Sequence, residues 1–318
     1  MKFEIHFIVF NVSLISCFLI LCVMNFLVIG HSVVDKIQQG DVLQFKPGGI
    51  FYSAVSLYNF LEKGDKLFLC TTVDKSNYNS FSFIYNKVEQ EFIKISEIIP
   101  VVNLIIKISG ERAEFYENIS ERIELNFRDL NRFSGILINM ITGFDISIEQ
   151  LQEIRKNFNG LIYFDVHTLS RGVAQDFERV FRPVPEFCKW AKCIDILQAN
   201  SCELRTLSSK KSEQDIVNEL LDFGIKQVII TKSSEGSILY YVENGNLRTI
   251  AQNALQTSAV NKVGCGDVFG AVYFYSYIRN KSVTDALLYA NTAAGISTGY
   301  LEAKDFLNLK DDVRKQFN

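Results

Sequence analysis

Asn261-Lys-Val-Gly-Cys-Gly-Asp267 runs directly into the apolar stretch 268–275. Two glycines, a carboxylate and then a buried run form the pattern of a tight turn that opens a core helix. Gly264 and Gly266 let the backbone approach a ligand with no Cβ in the way, and the first N–H groups of a helix lack intrahelical partners. With the helix dipole added, the amides of Gly264, Cys265, Gly266 and Asp267 would bind an anion such as phosphate. Asp267 would stand beside that anion, able to accept a proton. An anion site for developing charge and a base for an attacking hydroxyl are two requirements of phosphoryl transfer. The plainer reading keeps Asp267 as an acidic residue in a first helical turn, where the dipole alone stabilises it.

Other segments offer polar groups at places where a strand or helix begins or ends. Asp35 and Gly48-Gly49 precede a helical pattern that starts near Ser53. A carboxylate there can bind vicinal hydroxyls through two acceptor oxygens, and paired glycines admit a substrate to the backbone, although turn chemistry uses the same residues. Asn200-Ser-Cys-Glu203 after an apolar run reads as a capping box. Thr231 and Gly236 fit a strand, a glycine turn and a second strand, which a plain hairpin also needs. Ser282-Val-Thr-Asp285 caps a small-residue helix containing Asn291, where small residues also allow close helix packing. Asp165 closes another apolar run, with His167 and Arg171 nearby.

These residues need a scaffold. Apolar runs of strand length at 26–29, 67–70, 104–108, 136–140, 161–164, 194–197 and 228–231 alternate with helical patterns such as 53–61, 148–158 and 213–223. That alternation predicts βαβ units, a mostly parallel sheet with helices on both faces, and ligands at the carboxyl ends of the strands. Stretches 35–47 and 101–119 mix polar and apolar residues and are expected to add a small sheet. No repeat or proline-rich linker divides the chain, so residues 24–318 are expected to form one domain with a lid.

The 318 residues are 48% hydrophobic, enough for a large core, and their formal charge of −3 gives no basic footprint for nucleic acid. Seven cysteines without CxxC or metal-ligand spacing point to reduced thiols and a cytoplasmic protein. Residues 7–29 carry no formal charge, which is long enough for a membrane helix. Because 26–29 read as the first core strand, residues 1–23 are expected to be a non-native extension, with Met24 as the natural start. A membrane anchor or a cleaved signal are the alternatives, and otherwise no membrane contact is expected.

The ordered set of Gly48-Gly49, Asn200-x-x-Glu203, Thr231…Gly236 and Gly264-Cys-Gly-Asp267 resembles the PfkB/ribokinase family of carbohydrate kinases over roughly residues 26–303. The resemblance implies a ribokinase-like three-layer α/β/α sandwich with a small β lid, and ATP-dependent phosphorylation of an alcohol group on a sugar or sugar-like molecule. It implies Asp267 as general base with Gly264, Cys265 and Gly266 as the anion hole, and Asp35, Gly48, Gly49 and Ser53 as the substrate side. Asn200, Thr231, Gly236 and Asn291 fall at the nucleotide, and Glu203 at Mg²⁺. A monovalent cation and a homodimer through the lid go with some members. Gly110-Glu-Arg112 matches a lid segment whose Arg could reach substrate or phosphate. This chain has Ser53 where Asn is frequent, Phe51 and Tyr52 before it, Lys262 for Thr, Cys265 for Ala and Val272 for Gly. Alternatives are a nucleoside or vitamin-precursor kinase on the same fold, or a ribokinase-like protein that binds a metabolite without catalysis.

Overall fold

The computed structural model describes residues 23–105, 113–257 and 260–317. The expectations for residues 1–22 and for Gly110, Glu111 and Arg112 lie outside these. In chain order the strands are β1 (Asn25–Ile29), β2 (Ser32–Gln39), β3 (Val42–Gly49), β4 (Lys66–Asp74), β5 (Ile93–Ser96), β6 (Val101–Ile105), β7 (Ala113–Asn118) and β8 (Gly135–Asn139). They continue as β9 (Leu161–Asp165), β10 (Arg171–Val173), β11 (Arg179–Phe181), β12 (Ile196–Asn200), β13 (Gln227–Thr231), β14 (Ser237–Glu243) and β15 (Asn246–Gln252). The α-helices are α1 (Phe51–Phe60), α2 (Tyr78–Tyr85), α3 (Ile148–Asn157), α4 (Phe187–Ala191), α5 (Ser201–Leu204), α6 (Glu213–Asp222), α7 (Cys265–Asn280), α8 (Val283–Ser297) and α9 (Leu309–Lys315).

Nine strands make one sheet in the order β15-β14-β13-β12-β9-β8-β1-β4-β5. All neighbours are parallel except the β13-β14-β15 meander at one edge. The central strands read as continuous apolar runs because both of their faces are covered. Side chains of β1 divide by alternation: Phe26 and Val28 join the core beneath α1, α7 and α8, whereas Leu27 and Ile29 join the core beneath α3, α4 and α6. Helix α7 has buried residues all around its axis, from Asp267 through Ser276. Its apolar run therefore exceeds one amphipathic stripe.

The second sheet has four strands in the order β3-β2-β6-β7. The run 104–108, which looks like the core strands in sequence, contributes its described part to this small sheet through β6. Strand β2 begins at Ser32, earlier than expected, because the chain passes from β1 to β2 through Gly30 and His31 alone. The buried junction is fixed by polar groups from the turn after β8. Asp145 accepts from the His31 backbone N–H at 2.8 Å and lies 2.9 Å from His31 Nδ1, while His31 Nε2 donates to the Glu121 carbonyl. Tyr116 on β7 donates to the Thr142 carbonyl, and Arg179 donates to that of Ile141 while pairing with Glu114 in a buried ion pair.

Among the described residues, no helix is long and apolar enough to cross a membrane. The five described cysteines, Cys70, Cys188, Cys193, Cys202 and Cys265, form no disulfide.

Candidate active site

Gly264 is the N-cap of α7 and takes the left-handed conformation, φ 80°. A methyl group there would collide with the ring of buried Tyr52 in the first turn of α1. Two separate constraints thus select glycine, one in the backbone and one in packing. Gly264→Ala is expected to cost about 1–3 kcal/mol of stability and to lower turnover more than tenfold by displacing the turn. Chemical denaturation and steady-state rates check both; a variant with wild-type midpoint and rate would show that the turn tolerates a Cβ.

Asp267 follows in the first turn of α7, 8% exposed. The side-chain amide of Asn139, at the carboxyl end of β8, donates to Asp267 Oδ1 at 2.6 Å and reaches Ser53 Oγ at 3.4 Å. Ser53, the position of a departure in sequence, therefore meets Asp267 through Asn139. The other arm of that amide, Oδ1, is buried and has no hydrogen-bond partner among the described residues. An orphaned buried acceptor costs about 1–3 kcal/mol, so Asn139 is a poor choice for stability alone. Beneath the turn, Gln198 donates through Nε2 to Asp165 Oδ2 at 3.0 Å and to the Gly266 carbonyl at 3.1 Å, and accepts from Tyr163 OH.

Burial pushes the Asp165 carboxyl well above the usual carboxylate range, and the nearby charges of Glu203 and Asp267 push it further. Three acidic side chains thus converge from β9, α5 and α7. Glu203 belongs to a complete capping box: its Oε2 accepts from the Asn200 N–H at 2.8 Å, and Asn200 Oδ1 accepts from the N–H groups of Cys202 and Glu203. No set of three His, Cys, Asp or Glu among the described residues is arranged to hold a metal directly. The mutual repulsion seen at Asp165 nevertheless fits a site that gains a cation, and Mg²⁺ retains several waters and needs only one or two carboxylates.

Thr231 lies in register beside Asn200. Gly236, φ 98°, closes the antiparallel turn between β13 and β14, so the hairpin geometry is realised. Asn291 is buried on α8 and donates to Ser237 Oγ at 2.7 Å and to the Leu287 carbonyl, joining that helix to the start of β14. On the small sheet, the Asp35 carboxylate lies so close to Gly48 that any side chain at Gly48 would overlap it. Gly49 ends β3, φ 64°, against the His31 carbonyl. The structure thus brings Asp267, Ser53, Asp165 and Glu203 around the carboxyl ends of β8, β9 and β12, with Asn200 ending β12, Thr231 ending the adjoining β13, and Asp35, Gly48 and Gly49 on the second sheet. Arg171 stacks on Phe181, and Lys262 is exposed. Sequence reasoning missed Asn139 and Gln198; the available signal was a polar residue at or near the carboxyl end of a fully buried strand.

Residues 168–308 match the pfkB family carbohydrate kinase family. The chain is 26% identical over 243 residues to a D-tagatose-1-phosphate kinase of Bacillus licheniformis, a match covering 65% of this chain and 78% of that one. Its structure resembles an Arabidopsis thaliana ribokinase complexed with ribose and ATP, with TM-score 0.73, 16% identity, and coverage of 92% of this chain and 97% of the other. It also resembles a pyrophosphate-dependent kinase in the ribokinase family complexed with a pyrophosphate analog and myo-inositol, with TM-score 0.70, 17% identity, and coverage of 89% and 98%. The chain therefore has the ribokinase-like fold, and its residues 168–308 are similar to the pfkB family of carbohydrate kinases.

Proposed function

We propose that the protein transfers the γ-phosphoryl group of ATP to a hydroxyl of a sugar or sugar-like polyol. The observation that carries this reading is that one helical turn holds both an N-terminus without a side-chain cap, led by left-handed Gly264, and the buried carboxylate of Asp267. An incoming phosphate meets the first-turn amides at Gly264, Cys265 and Gly266 together with the positive end of the α7 dipole. The acceptor hydroxyl gives its proton to Asp267 as its oxygen attacks. Asp35, backed by Gly48 and Gly49, and Ser53 bind the acceptor, while Asn200, Thr231, Gly236 and Asn291 flank the nucleotide. Glu203, held by its cap with Asn200, would retain a hydrated Mg²⁺ that neutralises charge on the phosphates.

The small sheet then acts as a lid that keeps water from the transferring phosphate. Edge strand β3 exposes Val42, Leu43 and Phe45, which supports a homodimer through this sheet. Light scattering should then give twice the chain mass, falling to the monomer on Phe45→Glu.

The deciding experiment measures acceptor-dependent release of ADP with Mg²⁺ present. Acceptors are D-tagatose phosphates, fructose 6-phosphate, ribose, myo-inositol, nucleosides and vitamin precursors; a parallel arm replaces ATP with pyrophosphate. Turnover with one polyol class and ATP supports the proposal. Turnover with nucleosides or vitamin precursors, or with pyrophosphate alone, would move the acceptor or donor assignment. Tight acceptor binding without turnover would favour the non-catalytic reading.

A further inference from the structure

Asn139 joins three elements at one point, since its Nδ2 lies 2.6 Å from Asp267 Oδ1 on α7 and 3.4 Å from Ser53 Oγ on α1. It is 1% exposed at the end of β8. The amide orientation follows from chemistry, because reversing it would set a carbonyl oxygen against a carboxylate. A donor fixed on one carboxylate oxygen holds the plane of the group and favours its charged form. This matters because the facing groups work the other way. Asp165 on β9 and Glu203 on α5 are acidic, Gln198 on β12 and Tyr52 and Ser53 on α1 are uncharged, and Lys262 on the same turn is exposed.

We propose that Asn139 is the positioning residue of the base: its amide holds Asp267 through Oδ1, keeps that carboxylate ionised, and directs proton transfer to Oδ2. The inference rests on the phosphoryl-transfer reading. In that step the acceptor O–H bond breaks and its proton passes to Asp267, the acceptor oxygen bonds to the γ-phosphorus, and the bond from that phosphorus to the bridging oxygen breaks, its electron pair leaving with ADP. Asn139 touches none of the reacting atoms and acts through Asp267.

The test uses the full chain with Asn139→Leu, which keeps the branching at Cγ but is bulkier and has no polar atoms, Asn139→Asp, which adds a like charge, and Asn139→Ser as the mildest change. One measurement is the pH profile of kcat with the best acceptor. The other, needing no substrate, follows the Asp267 side-chain carbon by ¹³C NMR titration, its resonance identified by loss in Asp267→Asn. The midpoint for Asp267 and the acid limb of kcat should both move up by about one pH unit in Asn139→Leu and further in Asn139→Asp, with KM for ATP within about threefold. An unmoved midpoint in folded variants overturns the inference, as does loss of fold in all three. A moved midpoint in a protein without turnover supports the clamp and removes the transfer reading, whereas turnover abolished by Asp267→Asn with an unmoved midpoint does the reverse.

Discussion

Replacing Asp267 with Asn is expected to lower turnover by about three orders of magnitude while leaving the fold and ligand affinity nearly intact. Asn has the shape of Asp but cannot take the acceptor proton, so the attacking oxygen would have to carry its proton into the transition state. The proposed anion site would be unchanged, because it would use backbone amides at Gly264, Cys265 and Gly266 and the α7 dipole, none of which the substitution removes. Calorimetric affinities for ATP and acceptor should therefore remain within a few-fold of wild type. Stability should change little, since Asn139 can keep one hydrogen bond to the new side chain and a charge that disfavours ionisation of Asp165 is gone. A variant that retains more than about one tenth of wild-type turnover would remove Asp267 as the base and leave the anion turn as the sole contribution of α7.

Much of this site was legible because turn chemistry is local. The glycines at 264 and 266 and the carboxylate at 267 announce themselves within four residues, and Asn200 with Glu203 forms the capping box that its spacing predicts. The parallel sheet was legible for a related reason: strands covered on both faces must be apolar throughout, and runs such as 26–29 and 228–231 carry no competing helical period. The run 104–108 shows the limit of that argument: it is as apolar as the core strands, and only the mixed polarity of the surrounding stretch 101–119 pointed to the small sheet that its described part joins. Residues joined only by the fold stayed hidden. Asn139 and Asp267 are 128 positions apart, and nothing local in Ile136–Met140 says that its one polar residue grips the Asp267 carboxylate. Ser53 looked like a loss from the substrate side because its partner, the Asn139 amide, was equally invisible. Asn291 looked like a nucleotide contact, yet its amide donors are committed to Ser237 and Leu287, so any role beside a nucleotide would run through its carbonyl or its backbone.

The His31 and Asp145 pair was hidden for the same reason, and its loss should give the largest stability effect. Asp145→Asn is expected to destabilise the chain by about 3–5 kcal/mol, the cost of breaking a buried ion pair from one side. Both ring nitrogens of His31 face acceptors, Nδ1 the Asp145 carboxylate and Nε2 the Glu121 carbonyl, which suits the doubly protonated ring. Burial alone would lower the His31 pKa, but Asp145 and the Glu121 carbonyl outweigh it and hold the ring above its ordinary value. Burial would likewise raise Asp145, but the charge and hydrogen bonds of His31 and the Thr142 N–H hold it below the usual range. The signs set a window. A raised histidine contributes fully below its unfolded value of about 6.5 and loses that contribution as pH rises through its folded value. A depressed aspartate contributes fully above its unfolded value of about 3.9 and loses it as pH falls through its folded value. The stability difference between wild type and Asp145→Asn should therefore peak near pH 5–6 and shrink above neutrality. Urea unfolding across pH measures it; a difference flat from pH 5 to 9 would mean that His31 is neutral in the native state. Because this pair sits between β1 and β2 and grips the turn after β8, part of the loss should be local. Hydrogen exchange in β2 and β3 should rise more than in the central strands, coupling the root of the small sheet to the strand end that carries Asn139.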